Sequence, residues 1–112
     1  MSTELRPWGL FENLLEEIEY KVKRIIISPN QSISLQYHFH REEYWIVVEG
    51  SGELIHEDTV RTLEVGDSVF IGKEEVHRLK AGKNGITVIE TQIGVCEEDD
   101  IVRLEDHYGR VV

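Results

Sequence analysis

Very little in this chain could cross-link it. There is one cysteine, Cys96, so no internal disulfide forms and no thiolate cage can hold a metal. With Glu97, Glu98, Asp99 and Asp100 beside it, that thiol is less readily ionised, which argues against a nucleophile. No apolar run approaches the ~20 residues of a membrane helix, and the N-terminus carries no signal-peptide pattern. Cations are scarce too: 12 Lys and Arg against 22 Asp and Glu leave a net charge of −10. No basic stripe stands out to neutralise phosphates, which excludes nucleic acid as a partner. The acidity itself reads as solubility, and it leaves room for a small phosphorylated ligand, because a few local Arg or Lys residues suffice. These absences predict a soluble cytoplasmic protein with no membrane or nucleic-acid partner.

What is present is ordinary for a globular protein: 40% apolar and 30% charged residues over 112 positions. That length accommodates a single domain, residues 1–112, around one core. Residues 1–5 read as a loose start and RPWG at 6–9 as a turn. FENLLEEIE at 11–19 allows a turn or two of amphipathic helix, or a strand. Residues 20–28 are rich in β-branched side chains and predict a strand. Strands are further predicted over 31–40, 44–48, 53–56, 58–62, 68–71, 76–80 and 86–93. The turns between them fall at Gly50 and Gly52, Glu57-Asp58, Gly66-Asp67, 72–75 and 81–85. Short strands at this spacing indicate an all-β barrel or sandwich. Residues 101–112 are expected to pack across a barrel end.

The organising stretch is QYHFHREEYWIVVEG at 36–50. Gln36, His38 and His40 alternate, so in a strand all three face one way. Glu43 follows, and His77 arrives later from another strand. Imidazoles and a carboxylate on one sheet face suggest a metal site inside a small barrel, with Gln36, His38, Glu43 and His77 as candidate ligands. A mixed nitrogen and oxygen set suits a divalent ion, zinc or manganese first, with cobalt, nickel or iron as alternatives. Four protein donors at most leave a position open for water or substrate. His40 has three readings: replacing Gln36 as ligand, carrying a proton, or capping the barrel mouth. His56 and His107 show no partner pattern and read as surface residues.

The spacing Gln36-x-His38-x4-Glu43-x6-Gly50, then Gly66-x10-His77, resembles the two cupin motifs, at 36–50 and 66–77. Gln36 stands where the first motif usually has His, and Gly72 and Glu74 stand where the second usually has Pro and Gly. RPWG, YKVKRI at 20–25, SLQYHFHREEYWIVVEG at 34–50, HRL at 77–79 and EEDDIVRLEDHYGR at 97–110 are similar to the C-terminal isomerase domain of type II phosphomannose isomerases. The resemblance implies an all-β, small single-domain cupin, a jelly-roll β-barrel that pairs as a homodimer. It implies Gln36, His38, Glu43 and His77 as ligands of one divalent ion. It also implies interconversion of mannose 6-phosphate and fructose 6-phosphate, with the guanylyltransferase activity of the usual partner domain absent.

Such an isomerisation moves a proton between carbons 1 and 2 through an enediol. It needs an electrophile on the oxygens, a base and a grip on the phosphate. Candidate catalytic bases are Glu90, His40 and Lys23. Candidate phosphate ligands are Arg6, Lys21, Lys23, Arg103 and Arg110. The competing expectations are a non-catalytic sugar-binding or regulatory cupin, and another metal-cupin enzyme such as a dioxygenase.

Overall fold

The computed structural model describes residues 2–95, 97 and 99–110. Cys96 and Glu98, on which the reading of an inert thiol in an acidic run rests, lie outside the described residues. Nine strands run in chain order: β1 (Ser2–Arg6), β2 (Gly9–Glu16), β3 (Tyr20–Ile27), β4 (Leu35–Tyr37), β5 (Arg41–His56), β6 (Thr59–Glu64), β7 (Ser68–Ile71), β8 (His77–Gly94) and β9 (Val102–Glu105). All named pairings are antiparallel: β1-β2-β3-β8-β4-β9 form one path, and β5 pairs with β6, β7 and β8. Among the described residues there is no helix, and so none long and apolar enough to cross a membrane.

The residues 11–19 that allowed two readings resolve to strand. Phe11 and Asn13 are buried while Glu12 and Leu14 are only half-buried, which is a period of two rather than 3.6. Pairing on both sides, with β1 and β3, overrides any helical preference. The start of the chain is not loose: Ser2–Arg6 forms β1, and Asn13 Nδ2 donates to Ser2 Oγ at 2.9 Å. Conversely, the strand predicted over 31–40 shrinks to Leu35–Tyr37, with one isolated bridge from Ser32 to Lys80.

The largest departure concerns β5 and β8. Glycines at 50, 52, 82 and 85 read as turns, yet both strands run straight through them. The two pair along their length, from Arg41 opposite Gly94 to His56 opposite His77, with register shifts at Val47/Glu49 and Gly50/Gly52. A straight β5 from Glu43 to His56 would span about 43 Å, more than the 35 Å longest dimension of the molecule. The ribbon therefore curls, and the glycines permit it. A Cβ at Gly50 would lie 2.1 Å from the Gly85 carbonyl oxygen, and one at Gly52 would lie 2.3 Å from that of Lys80. Curling brings His77, at one end of the ribbon, back against Glu43 near the other.

Inward positions follow the pleat. On β5 Arg41, Glu43, Trp45 and Val47 are buried while Tyr44, Ile46 and Val48 are exposed. The apolar core gathers Ile27, Val47, Leu54, Leu63, Ile71, Leu79, Ile86 and Val88. Tyr108 packs against it, its hydroxyl bonded to Gln31, and β9 pairs with β4.

Candidate metal centre

The polar part of the interior begins where β4 ends. Gln36 sits on β4, opposite His77, the first residue of β8. His38 follows β4, and Glu43 lies near the start of β5. His38, Glu43 and His77 are all buried, and their donor atoms lie within 4.8 Å of one another. His77 Nδ1 is 2.9 Å from the Glu75 carbonyl, which can only accept, so Nδ1 carries the proton. The lone pair on Nε2 then faces Glu43 Oε1 at 3.7 Å. Two buried acceptors facing each other with no proton between them are what a cation would join. Gln36 Nε2 lies 3.5 Å from the same Nε2. A half-turn of that amide presents its oxygen instead, and the Ser34 hydroxyl, 2.7 Å from Gln36 Oε1, can donate or accept and so serves either orientation. These residues fit a divalent ion by chemistry and by spacing.

Arg41 belongs to this group and is the residue that sequence reasoning missed. Its Nε donates to Glu43 Oε2 at 2.9 Å, and its Nη2 lies 2.7 Å from His38 Nε2. It is buried beside both. One signal could have found it: Arg41, Glu43 and Trp45 share a strand phase, so a strand that buries Glu43 buries Arg41 too. Burial favours the neutral form of Glu43, but the Arg41 guanidinium beside it outweighs burial and holds this carboxyl down at about 2. The His38 imidazole is held down at about 4, first by burial and then by the Arg41 charge, against the opposing pull of Glu43. His77 is likewise lowered by burial. Both imidazoles are therefore neutral, the form in which they bind metals.

Glu90 lies beside them on β8, opposite Trp45 on β5 and Lys23 on β3. Trp45 Nε1 donates to Glu43 Oε1 at 3.2 Å and to Glu90 Oε2 at 3.1 Å, and Gln92 Nε2 donates to Glu90 Oε1 at 2.6 Å. Burial and the neighbouring Glu43 charge raise the Glu90 pKa, so of the two carboxyls Glu90 keeps its proton longer.

A cavity of ≈ 100 Å³ opens on this group. Glu43 and Glu90 are its acidic lining, whereas Arg6, Lys23, Arg41, Arg103 and Arg110 are five of the chain's 12 Lys and Arg. Lys23 Nζ sits 4.1 Å and Arg6 Cζ 4.8 Å from the Phe11 ring centre, and Arg110 Nε donates to Asp106 at 2.8 Å.

Two expected site residues stand elsewhere. His40 is 65% exposed and lies 3.3 Å from Asp100; it lines no part of the cavity, because the strand that would have aimed it inward ends at Tyr37. Lys21 is half-buried on β3 and does not line the cavity either. His56, expected at the surface without a partner, is 25% exposed and lies 3.0 Å from Glu75. His107 is exposed, as expected.

The curled antiparallel barrel with polar donors at its inner wall defines a cupin. An RmlC-like cupin from Shewanella frigidimarina has the same fold, with a TM-score of 0.78 over 88% of this chain and 86% of that one, at 22% identity. The family match is more particular: over residues 1–106 the chain belongs to the family described as Mannose-6-phosphate isomerase C-terminal. It is 45% identical over 107 residues, 94% of its length, to the xanthan biosynthesis protein XanB of Xanthomonas campestris. It is 40% identical over 108 residues, 95% of its length, to the mannose-1-phosphate guanylyltransferase ManC of Salmonella typhimurium. The chain spans 23% of the first relative and 22% of the second.

Proposed function

We propose that this domain is a metal-dependent aldose–ketose isomerase that interconverts mannose 6-phosphate and fructose 6-phosphate. The observation that carries the reading is the cavity, which joins Gln36, His38 and Glu43 of the candidate centre to a lining of five cations in an otherwise acidic chain. Gln36, His38, Glu43 and His77 would hold the ion. When bound, it would supply Lewis acidity toward the carbonyl and hydroxyl oxygens of the sugar. Arg103 and Arg110, with Arg6 and Lys23, line the cavity and would bind the phosphate. Glu90 is the preferred proton carrier between carbons 1 and 2: it is buried, lines the cavity and is held by Trp45 and Gln92. Lys23, opposite it on β3, is the second candidate.

One contact favours a second reading, a sugar-phosphate-binding domain without turnover. Arg41 already pairs with Glu43 and His38, and so supplies positive charge at the point where an ion would.

The deciding experiment loads the protein with zinc, manganese or cobalt and couples fructose 6-phosphate formation to NADPH production. Turnover with at least one ion, lost on chelation and reduced about 10²–10⁴-fold in Glu90→Gln, is the expected result. Calorimetric binding of mannose 6-phosphate without turnover, whether or not metal is bound, would establish the second reading instead.

A further inference from the structure

The loop of residues 72–76, which joins β7 to β8, touches both histidines of the centre, His77 at its ring and His38 at its backbone. The Glu75 carbonyl accepts from His77 Nδ1, and the Glu74 N–H donates to the His38 carbonyl at 2.7 Å. The shape of the loop is set by the Glu75 carboxylate. Its Oε1 accepts the Gly72 N–H and lies 3.0 Å from His56 Nε2. Gly72 makes room for it, since a Cβ there would stand only 3.0 Å from that same oxygen. A proline at 72 would have no N–H to give. His56, the last residue of β5, sits directly opposite His77 in the β5–β8 ribbon. One carboxylate thus ties the loop to itself and to the strand paired with a ligand.

We propose that Glu75, braced by Gly72 and His56, is the positioning residue of the metal centre. It fixes the loop whose backbone holds the His77 ring in its tautomer and orientation and anchors His38. The inference rests on reading Gln36, His38, Glu43 and His77 as the ligand set. Its physical basis is the second nitrogen of a metal-binding imidazole: the acceptor it bonds fixes the ring, and losing such a partner typically costs 10–100-fold in metal affinity. Here the acceptor is a backbone carbonyl, and what holds that carbonyl in place is the side chain of its own residue.

The test is titration of the full chain with Co2+, followed by visible absorption and chelator competition, alongside the melting temperature of the metal-free protein. Glu75→Ala is expected to bind Co2+ about 10–100-fold more weakly than wild type, with a changed absorption spectrum. Glu75→Gln, whose amide oxygen still accepts from Gly72, is expected to recover most of the affinity. Gly72→Ala and His56→Ala are expected to fall between. A lowered melting temperature with unchanged Co2+ affinity and spectrum in Glu75→Ala would make Glu75 merely structural and overturn the proposal, while leaving the ligand set standing. No Co2+ uptake by wild type would remove the ligand set and the proposal together. Should Glu75→Ala fail to fold, Gly72→Ala and His56→Ala decide: weakened Co2+ binding supports the proposal, and wild-type binding in both overturns it.

Discussion

In one part of the barrel interior Leu54, Leu63, Ile71, Leu79 and Ile86 pack at 2% exposure or less; in another His38, Glu43, His77, Glu90 and Gln92 are as deeply buried, at 3% or less. The same two strands supply most of both groups. The apolar part is indifferent to direction, and each side chain contributes by leaving water. The polar part is all direction. The Trp45 N–H is divided between two carboxylates, the Gln92 amide nitrogen serves Glu90, and Arg41 serves Glu43. Gln92 Oε1 is buried without a hydrogen bond, and His77 Nε2 faces Glu43 across a gap. Burial completes the first part, whereas the second has acceptors left over, and so its stability depends on what cation is near.

Arg41→Met tests that difference most severely. Removing one member of a buried pair leaves the Glu43 carboxylate uncompensated, at a cost of about 4 kcal/mol in the metal-free protein. A divalent ion replaces the missing charge, so saturating zinc is expected to recover more stability in the variant than in wild type. Urea unfolding with and without zinc measures both quantities. Equal zinc effects in the two proteins would show that Arg41 and the ion do not share a role.

Leu63→Ala is the counterpart in the apolar part. Leu63 is fully buried on β6 and lines none of the metal-centre cavity. Its truncation is expected to cost about 3 kcal/mol, transfer and cavity terms together. The loss should be the same with or without zinc, because distant sites add. A loss that zinc reduces would mean that the two parts of the interior are not independent.

The pattern of residues carried the fold class, because alternation in a strand is a local property, and the spacing of the two motifs carried His38, Glu43 and His77 as a group. It did not carry the length of β5 or β8. Gly52 or Gly85 in a string of residues signals a turn; only the crossing backbones, with the Lys80 carbonyl 2.3 Å from where a Cβ of residue 52 would stand, show why glycine is there. The short β1 was hidden because its residues are mostly exposed and what orders them, pairing and side-chain contacts with β2, comes from outside the segment. His40 was misplaced for the same kind of reason: alternation was extended three residues beyond the end of β4, into a segment where Asp100 takes the Phe39 and His40 N–H groups. Arg41 was passed over because charged residues are rarely buried unless paired, and its partners lie partly outside its own strand.

The smallest expected effect concerns backbone strain, which the two parts handle differently. Gly66, in the turn between β6 and β7, has φ of +94°, and a methyl group there would meet nothing within 4 Å. The loop at the metal centre instead has Glu74 at φ of +61°. A left-handed conformation costs a non-glycine residue about 1–2 kcal/mol; glycine avoids that cost but loses about 0.5–1 kcal/mol more entropy on folding. Glu74→Gly should therefore stabilise the protein by up to about 1 kcal/mol, and its N–H can still reach the His38 carbonyl. Gly66→Ala should destabilise by about the same amount through conformation alone. Thermal unfolding of the two variants measures both signs. A Glu74→Gly variant less stable than wild type would mean that the exposed side chain contributes more than its backbone conformation costs, so that strain at the ligand loop is offset locally and not by the remainder of the barrel.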